Sequence, residues 1–170
     1  MPEDDLAQRL VACVFPSKEA EQRAKKTFLE KNSEKGLPEE VIEEASRAPN
    51  WTMLCEPGRP SDIVSGIHWV QNDWFLCTLK QGAVREGMRG HGIGTRTYQM
   101  NAEDALRTEG CRVLAADVTF DNRASIRALE NAGFQKVNRF CWEEGEKPAR
   151  ILQFVRMHPT RGNKCPAPGP

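Results

Sequence analysis

Apolar and polar positions along the chain change rhythm near its middle. Residues 6–31 combine Leu6, Leu10, Val11, Val14 and Phe15 with a highly charged stretch that runs to Lys31. This pattern predicts a short strand over 10–15 and then a helix from Ser17 to Lys31, with the Ser17 hydroxyl as its N-cap. Gly36 closes that region. Pro38, whose φ suits the first position of a helix, is followed by Glu39 and Glu40 and predicts a second short helix to about Arg47. Pro49-Asn50 breaks it. The stretch 51–86 reads as strands at 51–56, 62–71 and 74–84, separated by Pro57-Gly58-Arg59-Pro60 and by Asn72-Asp73. Turn residues at this spacing are what an antiparallel meander produces. Gly82, inside the last strand, predicts a bulge or a close approach by another backbone or a ligand.

From residue 95 the period becomes helical. Tyr98, Ala102, Ala105 and Leu106 mark one face of a helix over 95–109, ended by Gly110. A compact apolar strand follows at 112–118. Asp121 or Asn122 caps the next helix, which buries Ile126, Leu129 and Ala132 and has Gly133 at C′. Segments 134–142 and 150–157 form a hairpin around 143–148. Residues 158–170, with three prolines in the last five and no apolar pattern, are expected to form a disordered tail, leaving one domain over 1–157. The expected order is therefore β-α-α-β-β-β-α-β-α-β-β.

Composition narrows the function classes. The 170 residues are 39% hydrophobic and 28% charged, ordinary for one globular domain. Lysine plus arginine and aspartate plus glutamate both total 24, so no net field draws the protein to nucleic acid or to anionic lipid. The start, Met-Pro-Glu-Asp-Asp, lacks the basic-then-apolar order of a signal peptide, and no apolar run approaches the roughly 20 residues that span a bilayer. A soluble, cytoplasmic protein without nucleic-acid or membrane partners is expected. A homodimer stays open. Cysteines at 13, 55, 77, 111, 141 and 165 include no Cys-x-x-Cys pair, and His68, His91 and His158 are scattered, so no metal site is expected. The thiols read as reduced, packed small hydrophobes.

The chemistry concentrates in Arg89-Gly90-His91-Gly92-Ile93-Gly94, which lies between a predicted strand and a predicted helix. The first amides of a helix lack intrahelical partners, and the helix dipole adds positive potential there. Gly90, Gly92 and Gly94 have no Cβ, so their amides can wrap an anion closely. Arg89 and Arg96 can add charge-assisted contacts. The chemistry that needs this arrangement is the grip on a diphosphate. A Walker loop requires Lys and then Ser or Thr, whereas Thr95-Arg96 follow here. A dinucleotide fold places such a turn after its first strand, and here it follows a meander.

Val84-x-x-x-x-Arg89-x-x-Gly92-x-Gly94 resembles motif A of the GNAT N-acetyltransferases, and the stretch Asn122 to Phe134 (Asn-Arg-Ala-Ser-Ile-Arg-Ala-Leu-Glu-Asn-Ala-Gly-Phe) is similar to that family's motif B. The motifs stand in the family's order, with one helix and one strand between them, and their style is most similar to the branch of ribosomal-protein N-terminal and aminoglycoside acetyltransferases. The resemblance covers about residues 74–157. It implies an α/β (α+β) fold with a mixed, mostly antiparallel sheet of about seven strands and about four flanking helices. It also implies an acetyl-CoA-dependent N-acetyltransferase that passes acetyl directly to a primary amine of a small molecule or protein. A catalytically silent acyl-CoA-binding or regulatory module, or a transferase of another acyl group, are the alternatives.

Carried over residue by residue, the resemblance places the diphosphate on Arg89, Gly90, His91, Gly92, Ile93, Gly94 and Thr95. The pantetheine arm falls along 82–84, where the Val84 amide would polarise the thioester carbonyl, and Asn122 and Ser125 lie beside the departing thiol. Asn122 is equally explained as a helix cap. The chain departs from the family where many relatives have an acidic Tyr four residues before the Gly of Gly-Phe, since Leu129 stands there. It also lacks a carboxylate over 76–81. Base candidates are Asp73, Glu86, His68 and Asp117, with His68 read as a surface or cap residue; none is assigned. The run Glu39, Glu40, Glu43 and Glu44 either favours a cationic acceptor or is a solvated helix face.

Overall fold

The computed structural model describes residues 4–33, 37–142 and 149–158. The expected tail from 159 onward, the hairpin turn 143–148, Gly36 and Cys165 lie outside the described residues. Among the described residues five α-helices accompany seven strands in the order α1 (Asp4–Arg9), β1 (Val11–Ala12), α2 (Lys18–Asn32), α3 (Glu39–Arg47), β2 (Trp51–Cys55), β3 (Ile63–Gln71), β4 (Leu76–Val84), α4 (Ile93–Arg107), β5 (Val113–Thr119), α5 (Arg123–Asn131), β6 (Gln135–Trp142) and β7 (Ala149–Met157). One sheet runs β1-β2-β3-β4-β5-β7-β6. Every neighbouring pair is antiparallel except β4 and β5.

Local chemistry explains most boundaries. The Ser17 hydroxyl accepts from the Ala20 amide at 3.2 Å and starts α2. Gly133 sits at φ 84°, where the Phe134 amide reaches back to the Leu129 carbonyl at 3.0 Å and closes α5. Pro38 proves to be the N-cap of α3 rather than its first residue, with ψ 147° still extended. The expected strand over 10–15 shrinks to two residues, because Leu10 turns into the core and the Val14 amide leaves β2 for the Pro60 carbonyl. Helix α1 was not expected. Its six residues hold through burial of Ala7 with the adjoining Leu10, not through intrinsic propensity.

Helices α4 and α5 cover one face of the sheet. Ala102, Ala105, Leu106, Ile126 and Leu129 pack there on Ile67, Trp69, Leu79, Leu114, Ala116, Val118 and Phe154. On the other face Phe28 and Leu29 of α2 and Ile42 and Ala45 of α3 pack on Ile63, Trp51, Met53 and Ala83 of β2–β4. Trp74 is 73% exposed, outside the start of β4. Cys141 is exposed and so departs from the packed-thiol expectation, whereas Cys55, Cys77 and Cys111 are buried.

One feature of the sheet positions the site. β4 and β5 pair only at Leu76–Val113, Cys77–Leu114 and Thr78–Ala115. Beyond these, β4 stays on β3 as far as Val84–Ser65, and β5 stays on β7 as far as Thr119–Ile151. The two parallel strands therefore part toward their C-terminal ends.

Candidate functional site

The glycine turn lies at the open end of this cleft. A one-turn 3₁₀ helix, Glu86–Met88, carries the chain from β4 to it. Gly90 and Gly92 have φ of 86° and 71°, which side-chain-bearing residues avoid. A Cβ on either would meet no atom within 4 Å, so the space above both is open. Gly92 is the N-cap of α4 and supplies no side-chain bond. The first backbone bond of the helix joins the Arg96 amide to the Gly92 carbonyl at 3.1 Å, which leaves the preceding amides without intrahelical partners. Ile93 anchors the turn at 1% exposure.

Gly94 shows how the two motifs meet. A Cβ there would lie 3.7 Å from both the Val84 side chain of β4 and the Ala128 side chain of α5. Val84, the head of α4 and the second turn of α5 at Ala128 thus meet around Gly94. Asn122 caps α5 by accepting from the Ser125 amide at 3.1 Å, and both residues are half-buried where the chain leaves the C-terminal end of β5. His91 and Thr95 are half-buried in the turn.

Both arginines bond backbone carbonyls. Arg96 donates to the Ala7 carbonyl and so ties α1 to α4. Arg89 donates from Nε to the Val84 carbonyl at 3.1 Å and from its guanidinium to the Asn32 carbonyl at 3.0 Å. Gly82 owes its lack of a side chain to β3, since a Cβ would sit 2.7 Å from Ile67 Cβ and 2.9 Å from the Gly66 carbonyl. The register shift lies just before it, with three steps along β4 from Leu79 to Gly82 facing two along β3.

The base candidates separate clearly. Asp73 accepts from the Trp74 amide at 2.6 Å at the opposite end of β4, roughly 25 Å along the strand from the turn. Glu86 is exposed in the 3₁₀ segment. His68 is 3% exposed, contrary to the surface or cap reading. Its ring stacks on Trp51 at 5.1 Å, Nε2 meets Gln81 Oε1 at 3.1 Å, and Nδ1 is buried without a partner. Burial pushes its pKa below the ordinary value, opposed by the Gln81 bond. Asp117 is exposed, two residues past the last β4–β5 pair. Its neighbours Ala116 and Val118 face the α4–α5 core, so its carboxylate points to the other face, where it accepts from Gln153 at 3.1 Å. Leu129 is fully buried in the core.

The Acetyltransferase (GNAT) family model matches residues 17–134. The chain belongs to the GNAT acetyltransferase family. No curated relative matches it in sequence. Solved structures similar to this GNAT protein include Arabidopsis thaliana NAA60 in complex with acetyl-CoA, at 13% identity and TM-score 0.66 over 86% of this chain and 98% of that one. The ribosomal-protein-S18-alanine N-acetyltransferase of Escherichia coli is similar at 12% identity and TM-score 0.65, over 92% and 97% of the two chains. A GNAT-family acetyltransferase from Bordetella pertussis shares 18% identity over 87% and 95%, with TM-score 0.66. The seven-stranded, mostly antiparallel sheet agrees with the expected GNAT fold, with five helices in place of about four.

Sequence reasoning missed the residues that brace this GNAT turn. The buried Ser65 and Thr97 hydroxyls lie 2.7 Å apart, Thr97 2.8 Å from the Ile93 carbonyl and Ser65 3.2 Å from the Ala83 carbonyl, so one hydroxyl donates to the other and the second donates to its carbonyl. Asn101, fully buried, donates to Thr52 and to the Ile67 carbonyl. Thr97 and Asn101 fall four residues apart on the inward face of α4, a spacing that was visible in the sequence. Among the described residues no helix is long and apolar enough to cross a membrane.

Proposed function

We propose that this GNAT protein transfers an acetyl group from acetyl-CoA to a primary amine of a small molecule or protein, by direct attack in the cleft between β4 and β5. The observation that carries the reading is the open glycine turn at the head of α4, which follows the free end of β4 beyond its parting from β5. The uncapped amides of residues 90–95 suit a diphosphate, and the unpaired outer edge of β4 near Val84 suits an amide-bearing arm. The residues present fit the cofactor by their open space and unpartnered backbone groups. When bound, acetyl-CoA supplies an activated thioester carbonyl with a good leaving thiol. Asn122 and Ser125 lie at the start of α5 beside the expected thiol position. Asp117 is the proton acceptor we favour for the attacking amine, because it alone of the four candidates is both exposed and within the parted segment of the cleft.

Thermal-shift titration with acetyl-CoA, CoA and NAD tests the cofactor, and a thiol-release screen over amines tests the reaction. Stabilisation by acetyl-CoA and CoA with thiol release on an amine is the expected result. Stabilisation by NAD alone would overturn the reading, and binding without turnover on any amine would make the protein a silent acyl-CoA-binding module.

A further inference from the structure

We infer that Asn32, the last residue of α2, presets the cofactor turn and is a positioning residue for the diphosphate; this rests on the acetyl-CoA reading above. Its side-chain amide donates to the Phe28 carbonyl at 2.9 Å, which fixes the rotamer against its own helix. The same side chain accepts from the Glu86 amide at 3.2 Å. Its backbone carbonyl accepts from the Arg89 guanidinium at 3.0 Å, while Arg89 Nε holds the Val84 carbonyl at 3.1 Å. The segment from Val84 to Arg89 is thus closed on itself by Arg89 and clasped to α2 by Asn32.

The clasp acts on residues lying between anchors at Arg85, whose amide donates to the Val64 carbonyl at 2.8 Å, and at Met88 and Ile93, which pack with Leu10, Leu54 and Val64. Glu86, Gly87, Arg89, Gly90 and Gly92 are exposed, and Cβ atoms on Gly87, Gly90 or Gly92 would touch nothing within 4 Å. Helix α2 is by contrast anchored by Phe28 and Leu29 in the core. Without the clasp the exposed residues between these anchors lose a tether, and ordering them at the moment of binding then costs backbone entropy. Asn32 transfers the rigidity of α2 to the turn before ligand arrives. Arg89 then acts through carbonyls on both sides of the loop, in addition to the charge it brings near a phosphate.

The test is calorimetric titration of Asn32→Ala with acetyl-CoA and with S-acetylpantetheine, which has the thioester and arm but no diphosphate. The dissociation constant for acetyl-CoA is expected to rise about five- to tenfold, as loss of one hydrogen bond to a backbone amide implies. That for S-acetylpantetheine should stay within about twofold. Unchanged acetyl-CoA affinity, or equal loss for both ligands, would overturn the inference. Asn32→Leu keeps the side-chain volume but has no oxygen to accept from the Glu86 amide, and it should reproduce the selective loss if Asn32→Ala folds poorly. Failure of the unsubstituted protein to bind acetyl-CoA would overturn the proposed function with it, whereas binding that both variants preserve would overturn only the clasp.

Discussion

Gly92→Asp separates the cost of backbone strain from the cost of losing the ligand. Gly92 has φ 71°, and nothing lies within 4 Å of where its Cβ would stand, so the added carboxylate meets no steric barrier. Left-handed backbone costs a side-chain-bearing residue roughly 1–2 kcal/mol. For a domain of this size that lowers the unfolding midpoint by about 2–4 °C per kcal/mol. The effect on a bound diphosphate is larger. A carboxylate about 5 Å from a phosphate charge interacts by about 3 kcal/mol at an effective dielectric constant of 20, and a diphosphate carries roughly two such charges. Exposure of the turn halves this or more, leaving about 3 kcal/mol, which is on the order of a hundredfold in affinity. Gly92→Ala carries similar strain without the charge and should weaken acetyl-CoA less than about tenfold. Calorimetric titration beside thermal unfolding measures both quantities on the same samples. If Gly92→Asp binds acetyl-CoA within about threefold of the unsubstituted protein, the diphosphate does not sit on this turn.

Three other outcomes follow from named contacts. His68 is held by burial below its ordinary 6.5, so in that window the unfolded chain binds a proton that the native protein does not. Stability should then fall as pH drops below about 6.5, by at most about 1.4 kcal/mol per pH unit; urea midpoints at pH 7.5 and 5.5 should show a smaller loss in His68→Gln, and an unchanged slope would exonerate His68. Gly82→Ala puts a Cβ 2.7 Å from Ile67 and 2.9 Å from a backbone oxygen and should cost about 1–3 kcal/mol, whereas Gly94→Ala makes ordinary 3.7 Å contacts and should cost under about 0.5. Equal midpoints for the two in thermal unfolding would contradict this packing. Asp117→Asn should lower thiol release with an amine at least about tenfold while acetyl-CoA affinity stays within about twofold; full activity would place proton acceptance elsewhere.

The parts of the site made by consecutive residues were legible in the sequence. The 90–94 turn needs positive φ at Gly90 and Gly92, and the Asn122 cap, α5 and Gly133 follow rules that act within a few residues. Sheet order, by contrast, depends on pairing between distant segments, and only the family resemblance supplied it. Asn32 and Glu86 are 54 positions apart, and neither marks the other in sequence. His68 was misread because a single polar residue in an apolar strand leaves its burial undetermined until Trp51, Lys25 and Gln81 are assembled around it. The charge run at 39–44 proved local in part: Glu43 pairs with Lys26 and Arg47, and Glu39 lies 3.8 Å from Lys26. Glu43 thereby ties α3 to α2, while Glu39, Glu40 and Glu44 are exposed.

The irregularity of β4 explains why its sequence resembles neither a regular strand nor a catalytic segment. Its inner edge must remain on β3 through Val84, while its outer edge must leave β5 after Thr78. A uniformly twisted strand could not do both, since the cleft would close as soon as the pairing continued. The extra residue between Leu79 and Gly82 adds local twist and bends the strand. Gly82 then lets β3 approach closely enough to recover the register. At the bulge itself Gln81 meets the buried imidazole of His68, which Trp51 supports from the α2–α3 face. A buried ring with an unpartnered Nδ1 is costly in a sheet. Here it lies against the segment where the strand departs from regular pairing, and that departure is what leaves the edge near Val84 open to a ligand.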